Sequence, residues 1–149
     1  MQVECEVAVS AKNEAVWAAI TDHERWTEII SGIEKVEVLE KPEDGLVGFK
    51  WRETRTMFGK TATEEMWITE AVENSYYKTR AESHGCVYES TISVREEGEG
   101  CVLKMEFSGV PQGCLAKVLM VPMGFLFKRA TIKALQQDLE DIKAAVESA

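Results

Sequence analysis

The sequence is poor in clustered positive charge, and this limits the partners it can have. Its 149 residues hold 17 lysines and arginines against 26 aspartates and glutamates, a net charge of −9. Phosphate binding needs concentrated Lys and Arg, and no basic run occurs, so we expect no nucleic-acid partner. An anionic membrane surface would repel such a chain as well.

The motifs of common metal, nucleotide and nucleophile sites are also lacking. H-E-x-x-H, G-x-S-x-G and a phosphate-binding glycine loop do not occur in the sequence. The four cysteines are scattered without a C-x-x-C pair, at Cys5, Cys86, Cys101 and Cys114. We therefore predict no metal and no cofactor, and we interpret the cysteines as reduced thiols of a cytoplasmic protein.

Long hydrophobic runs are absent too. The longest uncharged apolar run, residues 118–127, is too short to span a bilayer and contains Pro122 and Gly124. The first residues lack the charged and apolar regions of a signal peptide. Because no linker, repeat or low-complexity segment is visible, the length predicts a single domain over residues 1–149.

Alternation of apolar and polar side chains is the strongest pattern that is present. Residues 2–10 alternate, which is typical of a half-buried strand. Ser10 is placed to cap a helix over residues 11–20, and Thr21 begins a capping box for a second helix. Six further strands are predicted, at residues 33–40, 46–55, 61–70, 75–83, 86–96 and 101–109.

The chain after Pro111 is predicted to be helical, with a kink or break near Pro122 and Gly124. Its apolar stripe is Leu115, Leu119, Ile132, Leu135, Leu139, Ile142 and Val146. The predicted fold is therefore α+β: a seven-stranded curved antiparallel sheet, with two short helices after strand one, wrapped around a long C-terminal helix. A strongly curved sheet that grips one helix need not fill its interior, so we expect an internal cavity.

Three stretches carry a family resemblance over essentially the whole chain. They are "RWTEIISGIEKVEVLE" from residue 25, "GFKWRETRTMFGKTATEEMWITE" from residue 48 and "ALQQDLEDIKAAVE" from residue 134. The chain resembles the polyketide cyclase/dehydrase branch of the START-like (SRPBCC) superfamily, the helix-grip proteins related to birch pollen allergen. The resemblance implies a ligand held between sheet and last helix. It does not select a chemistry, because one fold hosts carriers, receptors and cyclases.

Side-chain parity places charged residues on the inner face of the sheet. In strand three Val47, Phe49 and Trp51 form the apolar set, so Glu53 and Arg55 point inward as well. In strand four the inner set is Ala62, Glu64, Met66 and Ile68. Pairing Trp51 with Met66 places Glu53 opposite Glu64, with Arg55 able to reach both carboxylates. A register shift of two would instead pair Trp51 with Glu64.

The same parity yields a candidate ligand-binding set, although a structural ion pair would explain the charged residues equally well. We expect the ligand to be a small apolar molecule with a polar end: a lipid, an isoprenoid quinone or a polyketide-like aromatic. The candidates are Trp51, Glu53, Arg55, Glu64, Met66, Tyr77, Thr79, Tyr88, Ser90, Met105 and Phe107, with Met123 and Phe127 as a flexible flap over the cavity.

Three functions stay open at this point. The first is a non-catalytic binding or carrier protein, monomeric or homodimeric. The second is a polyketide cyclase or dehydratase that uses Glu53, Glu64 and Tyr88, because two carboxylates in contact raise one pKa and leave a proton donor beside an acceptor. The third is an interaction protein in which the cavity is incidental.

Overall fold

The computed structural model describes residues 2–57, 59–83, 85–112 and 114–149, with side chains described over these ranges except at residues 57 and 114–127. Seven strands form one antiparallel sheet in the order β1-β7-β6-β5-β4-β3-β2. The strands are β1 Gln2–Val9, β2 Ile33–Glu40, β3 Lys50–Met57, β4 Lys60–Val72, β5 Tyr76–Ser83, β6 Cys86–Glu97 and β7 Gly100–Pro111. The α+β architecture predicted from the sequence is confirmed.

Three α-helices accompany the sheet. They are α1 Asn13–Thr21, α2 Trp26–Ile29 and α3 Cys114–Glu147, with one 3₁₀ turn at His23–Arg25 before α2. The last helix packs on β1 and β7 and touches α1 and α2, so the helices cover the concave face of the sheet. Among the described residues, no helix is long and apolar enough to cross a membrane.

Both predicted helix starts are wrong. The first helix begins at Asn13, and Lys12 at its N-cap makes no side-chain capping bond. Ser10 lies two residues before that N-cap and is not in position to cap the helix; its backbone N–H donates to the Glu147 carboxylate of α3. Thr21 belongs to the end of α1, where its hydroxyl donates to the Trp17 carbonyl one turn earlier. The predicted second helix over residues 22–30 is consequently divided into the 3₁₀ turn and the four-residue α2.

The inner face follows the predicted parity where strands are paired on both sides. In β5, Tyr77, Thr79 and Ala81 are buried, and in β6 Ile92 and Val94 are buried. The register of the β3–β4 hairpin is also confirmed, with Trp51 opposite Met66 and Glu53 opposite Glu64.

The parity prediction fails where strands end. Val47 is 53% exposed because β3 begins only at Lys50. Before it, Gly48 adopts a φ of 94° that side chains disfavour, and its N–H bonds the Ile68 carbonyl. Ala62 is also exposed, near the turn end of β4.

The apolar stripe of α3 is confirmed at Leu135, Leu139 and Ile142, which are buried. Ile132 is 38% exposed, so the predicted stripe does not face the core at this position. Leu115, Leu119 and the expected kink at Pro122 and Gly124 lie outside the residues whose side chains are described.

Candidate functional site

A pocket of about 110 Å³ lies between the inner face of the sheet and the three helices. Most of its wall is apolar, and helices α1 and α2 supply one side of it. The polar groups on the wall come from strands β3, β5 and β6 and from α3. The lining residues are Ala19, Ile20, Trp26, Ile29, Ile30, Ile33, Trp51, Glu53, Arg55, Met66, Tyr77, Thr79, Ser90, Ile92, Met105, Asp138 and Ile142.

Three charged side chains meet at one side of this pocket, and we call Glu53, Arg55 and Asp138 the charged cluster. Arg55 Nε donates to Glu53 Oε2 at 2.7 Å. The two terminal nitrogens of Arg55 donate to Asp138, with Nη1–Oδ1 at 3.1 Å and Nη2–Oδ2 at 2.7 Å. Trp51 Nε1 donates to the other oxygen of Glu53 at 3.2 Å. One guanidinium thus joins β3 to α3 through a forked, two-bond contact.

Local geometry explains why these groups meet. Glu53 and Arg55 are two residues apart on β3, so their side chains leave the same face of the strand. Asp138 faces them from α3, because it follows the buried Leu135 by three residues and precedes the buried Ile142 by four. Gly32 leaves room for the guanidinium, since a Cβ there would stand 3.2 Å from Arg55 Nη1.

The two carboxylates of the charged cluster are buried from solvent. Glu53 is 7% and Asp138 4% exposed. Burial alone would lower the pKa of Arg55, but the charges and hydrogen bonds of Asp138 and Glu53 together raise it, so the guanidinium stays charged. Burial raises the pKa of Asp138, Arg55 opposes that rise, and Glu53 and Asp141 add to it.

The cluster corrects one predicted contact and adds a residue that was missed. We expected Arg55 to hold Glu53 and Glu64, and the structure pairs it with Glu53 and Asp138 instead. Glu64 lies opposite Glu53 in the sheet, but it does not line the pocket. The signal for Asp138 was present in the sequence, because a charge within an apolar helical stripe must face the buried side.

The predicted ligand-binding residues divide into three groups. Eight line the pocket, namely Trp51, Glu53, Arg55, Met66, Tyr77, Thr79, Ser90 and Met105. Glu64, Tyr88 and Phe107 do not line it. The side chains of Met123 and Phe127 lie outside those described, so their predicted role as a flap stays a prediction.

Tyr88 and Phe107 form a separate contact. Their rings stack with centroids 5.6 Å apart. Burial, a hydrogen bond with Cys86 and the charges of Cys86 and Glu64 raise the pKa of Tyr88 to about 12. Of the three residues proposed for catalysis, Glu53 lines the described pocket and the other two do not, although Glu64 lies opposite Glu53 in the sheet and its charge acts on Tyr88.

Tyr77 lines the pocket, but its hydroxyl is already engaged. The phenol donates to the Ile20 carbonyl at 3.0 Å, and the same carbonyl accepts the indole N–H of Trp26 at 3.1 Å. Burial, and secondarily the charge of Glu53, raises the pKa of Tyr77. Tyr77 therefore ties β5 to the end of α1 and stays protonated at neutral pH.

Raising the pH should remove the contribution that the Tyr77 hydroxyl makes to the stability of the fold. Because the pKa of Tyr77 is higher in the folded protein than the usual value of about 10, its contribution to stability is complete below that pH and is lost above it. Tyr77→Phe should lower the free energy of unfolding by about 1 kcal/mol at pH 8, because the hydrogen bond is lost. Towards pH 11 the wild type loses the same contribution, so the difference in stability between the two proteins should disappear. Urea denaturation at both pH values measures the two free energies of unfolding. A difference between the two proteins that is the same at both pH values would contradict the prediction.

Metal binding finds no support in the described part of the chain. No group of three or more His, Cys, Asp or Glu side chains there is arranged to hold a metal ion. The carboxylates of the charged cluster are occupied by Arg55.

A curved antiparallel sheet closed by two short helices and a long C-terminal helix defines the helix-grip class, and solved structures share it. TTHA0849 from Thermus thermophilus gives a TM-score of 0.82 at 17% identity, over 99% of this chain and 98% of that one. A START superfamily protein from Mycobacterium smegmatis gives a TM-score of 0.81 at 18% identity, over 99% of this chain and 97% of that one. Zhui aromatase/cyclase from Streptomyces sp. R1128 gives a TM-score of 0.77 at 17% identity, over 99% of this chain and 93% of that one. At such identities the likeness shows the fold alone.

The chain belongs to the family described as polyketide cyclase/dehydrase and lipid transport, whose model matches residues 1–147. The family resemblance predicted from the sequence is thereby confirmed. The comparison with curated proteins gives no match.

Proposed function

We propose that this protein binds or carries a small apolar molecule with a polar end in the pocket beside the charged cluster. The observation that carries the proposal is the composition of the wall: mostly apolar side chains, with the three side chains of the charged cluster held together at one place on it. Ligand pockets in proteins commonly combine these features, because apolar walls supply affinity and a few polar groups fix orientation. A lipid, an isoprenoid quinone or a polyketide-like aromatic fits this description.

The size of the pocket sets a condition on binding. Its volume of about 110 Å³ is below the range of about 300–1,000 Å³ that is usual for ligand pockets. A ligand of lipid or quinone size must therefore displace side chains as it enters. Met66 and Met105 on the wall suit this, because the methionine side chain is unbranched and adapts to different shapes.

The cluster favours binding over acid/base catalysis at this pocket. A general acid or base needs a carboxyl group that can reach the substrate and exchange a proton with it. Both carboxylates that line the pocket are engaged by Arg55, and Glu53 is engaged by Trp51 as well. The alternative of a cyclase or dehydratase would draw on Glu53, Glu64 and Tyr88, of which the last two do not line the pocket.

Filling the pocket from α1 should weaken ligand binding. Ala19 lines the pocket and Ala18, its neighbour on the same helix, is exposed. We expect Ala19→Phe to weaken binding of Nile red, a neutral apolar dye that brightens in dry surroundings, by at least about tenfold. Ala18→Phe adds the same ring outside the pocket and should change the affinity by no more than about twofold. Fluorescence titration measures both constants.

Circular dichroism and thermal melting of the two variants establish that each is folded before their affinities are compared. Equal affinity in Ala19→Phe and wild type would contradict the proposal, as would equal weakening by both substitutions. Native mass spectrometry of freshly purified protein adds the identity of any apolar molecule that travels with it. If neither Nile red nor any co-purified molecule binds, the pocket is incidental and the interaction-protein alternative gains support.

A further inference from the structure

The charged cluster carries more negative than positive charge, and this bears on which ligands the pocket can accept. It contains two carboxylates and one guanidinium, and each carboxylate is in direct contact with the guanidinium. Among the described residues that line the pocket Arg55 is the single cation, and Asp141 adds a further negative charge near Asp138. We propose that Glu53, Arg55 and Asp138 form a charge filter, which excludes anionic amphiphiles and admits apolar molecules whose polar end is uncharged. This inference rests on the proposed function.

The hydrogen bonds of Arg55 show what the filter can still offer to a ligand. A guanidinium has five N–H donors. Three are directed to carboxylates, one from Nε to Glu53 and one each from Nη1 and Nη2 to Asp138. The terminal nitrogens therefore keep further N–H groups, which can donate to a neutral oxygen such as a carbonyl, ether or hydroxyl. Such a group gains a hydrogen bond without bringing a charge.

A carboxylate head would meet the opposite situation. It would need Arg55 as its counter-ion, but Glu53 and Asp138 already neutralise that guanidinium and leave an excess negative charge. Both carboxylates are more than nine-tenths buried, so solvent screens their repulsion weakly. The anion would also lose its own hydration on entering an apolar pocket. Repulsion and desolvation act in the same direction, so the filter should discriminate strongly.

Two dodecyl compounds with the same chain isolate the effect of the head group. We expect dodecanol to displace Nile red from the wild-type protein at a concentration at least about tenfold below that of dodecanoate at pH 8, where dodecanoate is ionised. Asp138→Asn keeps the shape of the side chain and removes one negative charge. In that variant the displacement constant of dodecanoate should fall by about tenfold relative to that of dodecanol.

Glu140→Gln is the matched control, because it removes the same charge from the same helix at an exposed position. It should leave the ratio of the two displacement constants unchanged. Glu53→Gln gives a second test if Asp138→Asn folds poorly, and it should shift the ratio in the same direction. An unchanged ratio in whichever cluster variant folds, or a wild-type preference for dodecanoate, would overturn the charge filter and leave the proposed function standing. If neither compound displaces the dye and the dye itself does not bind, the proposed function fails and the filter fails with it.

Discussion

Replacing Arg55 with methionine is expected to lower the free energy of unfolding by about 3–5 kcal/mol at pH 7, the usual cost of removing one partner from a buried ion pair. The substitution keeps much of the apolar stem and removes the guanidinium. Glu53 and Asp138 would then face each other as buried carboxylates without a cation. Urea denaturation, followed by tryptophan fluorescence, measures the loss.

Arg52→Met is the matched control on the same strand. Arg52 points to the outer face with its side chain 40% exposed, and its contacts to Glu37 and Glu65 are both 3.8 Å long. Because exposed ion pairs contribute little, this substitution should cost no more than about 1 kcal/mol. Equal losses in the two variants would mean that the charged cluster is no more important to the fold than a surface ion pair.

The pH dependence of the Arg55→Met variant gives a second readout with a defined sign. Burial already raises the pKa of Asp138, and Arg55 is the group that opposes this rise. Without Arg55 the folded protein should bind protons at the cluster at a higher pH than the unfolded chain does. Stability relative to wild type should therefore improve as the pH falls from 7 towards 5. Adding Asp138→Asn to the variant should recover part of the loss at pH 7, since it removes one of the two unpaired charges.

Much of the inner face could be predicted from the sequence because strand side chains alternate with a period of two. Once Trp51 was assigned to the inner face, Glu53 and Arg55 had to follow it. Matching the apolar residues of β3 and β4 then favoured the observed register, because a slip of one residue would turn the whole apolar set to solvent, whereas a slip of two stayed open. The charged face of the pocket was predictable for this reason.

The partner of Arg55 was not found by the same reasoning. Asp138 is 83 residues further along the chain, and the contact depends on how α3 is rotated against the sheet. Strand parity does not contain that information. The helical periodicity placed Leu135, Leu139 and Ile142 correctly on the buried side, so it also placed Asp138 near that side. Reading the polar residues of an apolar stripe, and not only its apolar ones, would have found it.

The ends of elements were predicted less well because several local solutions compete there. Ser10 and Thr21 both have side chains that commonly cap helices, yet neither does so here. The Ser10 backbone binds the end of α3, and the Thr21 hydroxyl bonds back into α1. In the first case the helix begins too late for Ser10 to cap it, and in the second a competing hydrogen bond within the helix uses the Thr21 hydroxyl.

Truncating Leu139 to alanine should destabilise the protein by about 2–5 kcal/mol, the range for removing a large aliphatic side chain from a well-packed core. Leu139 is fully buried on α3, next to Asp138, and belongs to the core that joins the helices to the sheet. Its loss would leave a cavity where α3 packs on the sheet. The midpoint of urea denaturation should fall while the slope of the transition stays unchanged.

Ile132→Ala makes a comparable truncation seven residues earlier on the same helix, at a position that is 38% exposed. Little apolar surface is returned to water there and no cavity forms, so the expected loss is only about 0.5 kcal/mol. The comparison tests the exposure of Ile132, which the sequence pattern had placed on the buried stripe. A loss at Ile132 as large as that at Leu139 would mean that α3 contacts the core over a longer stretch. The wall of the pocket would then extend further along the helix than Asp138 and Ile142 define.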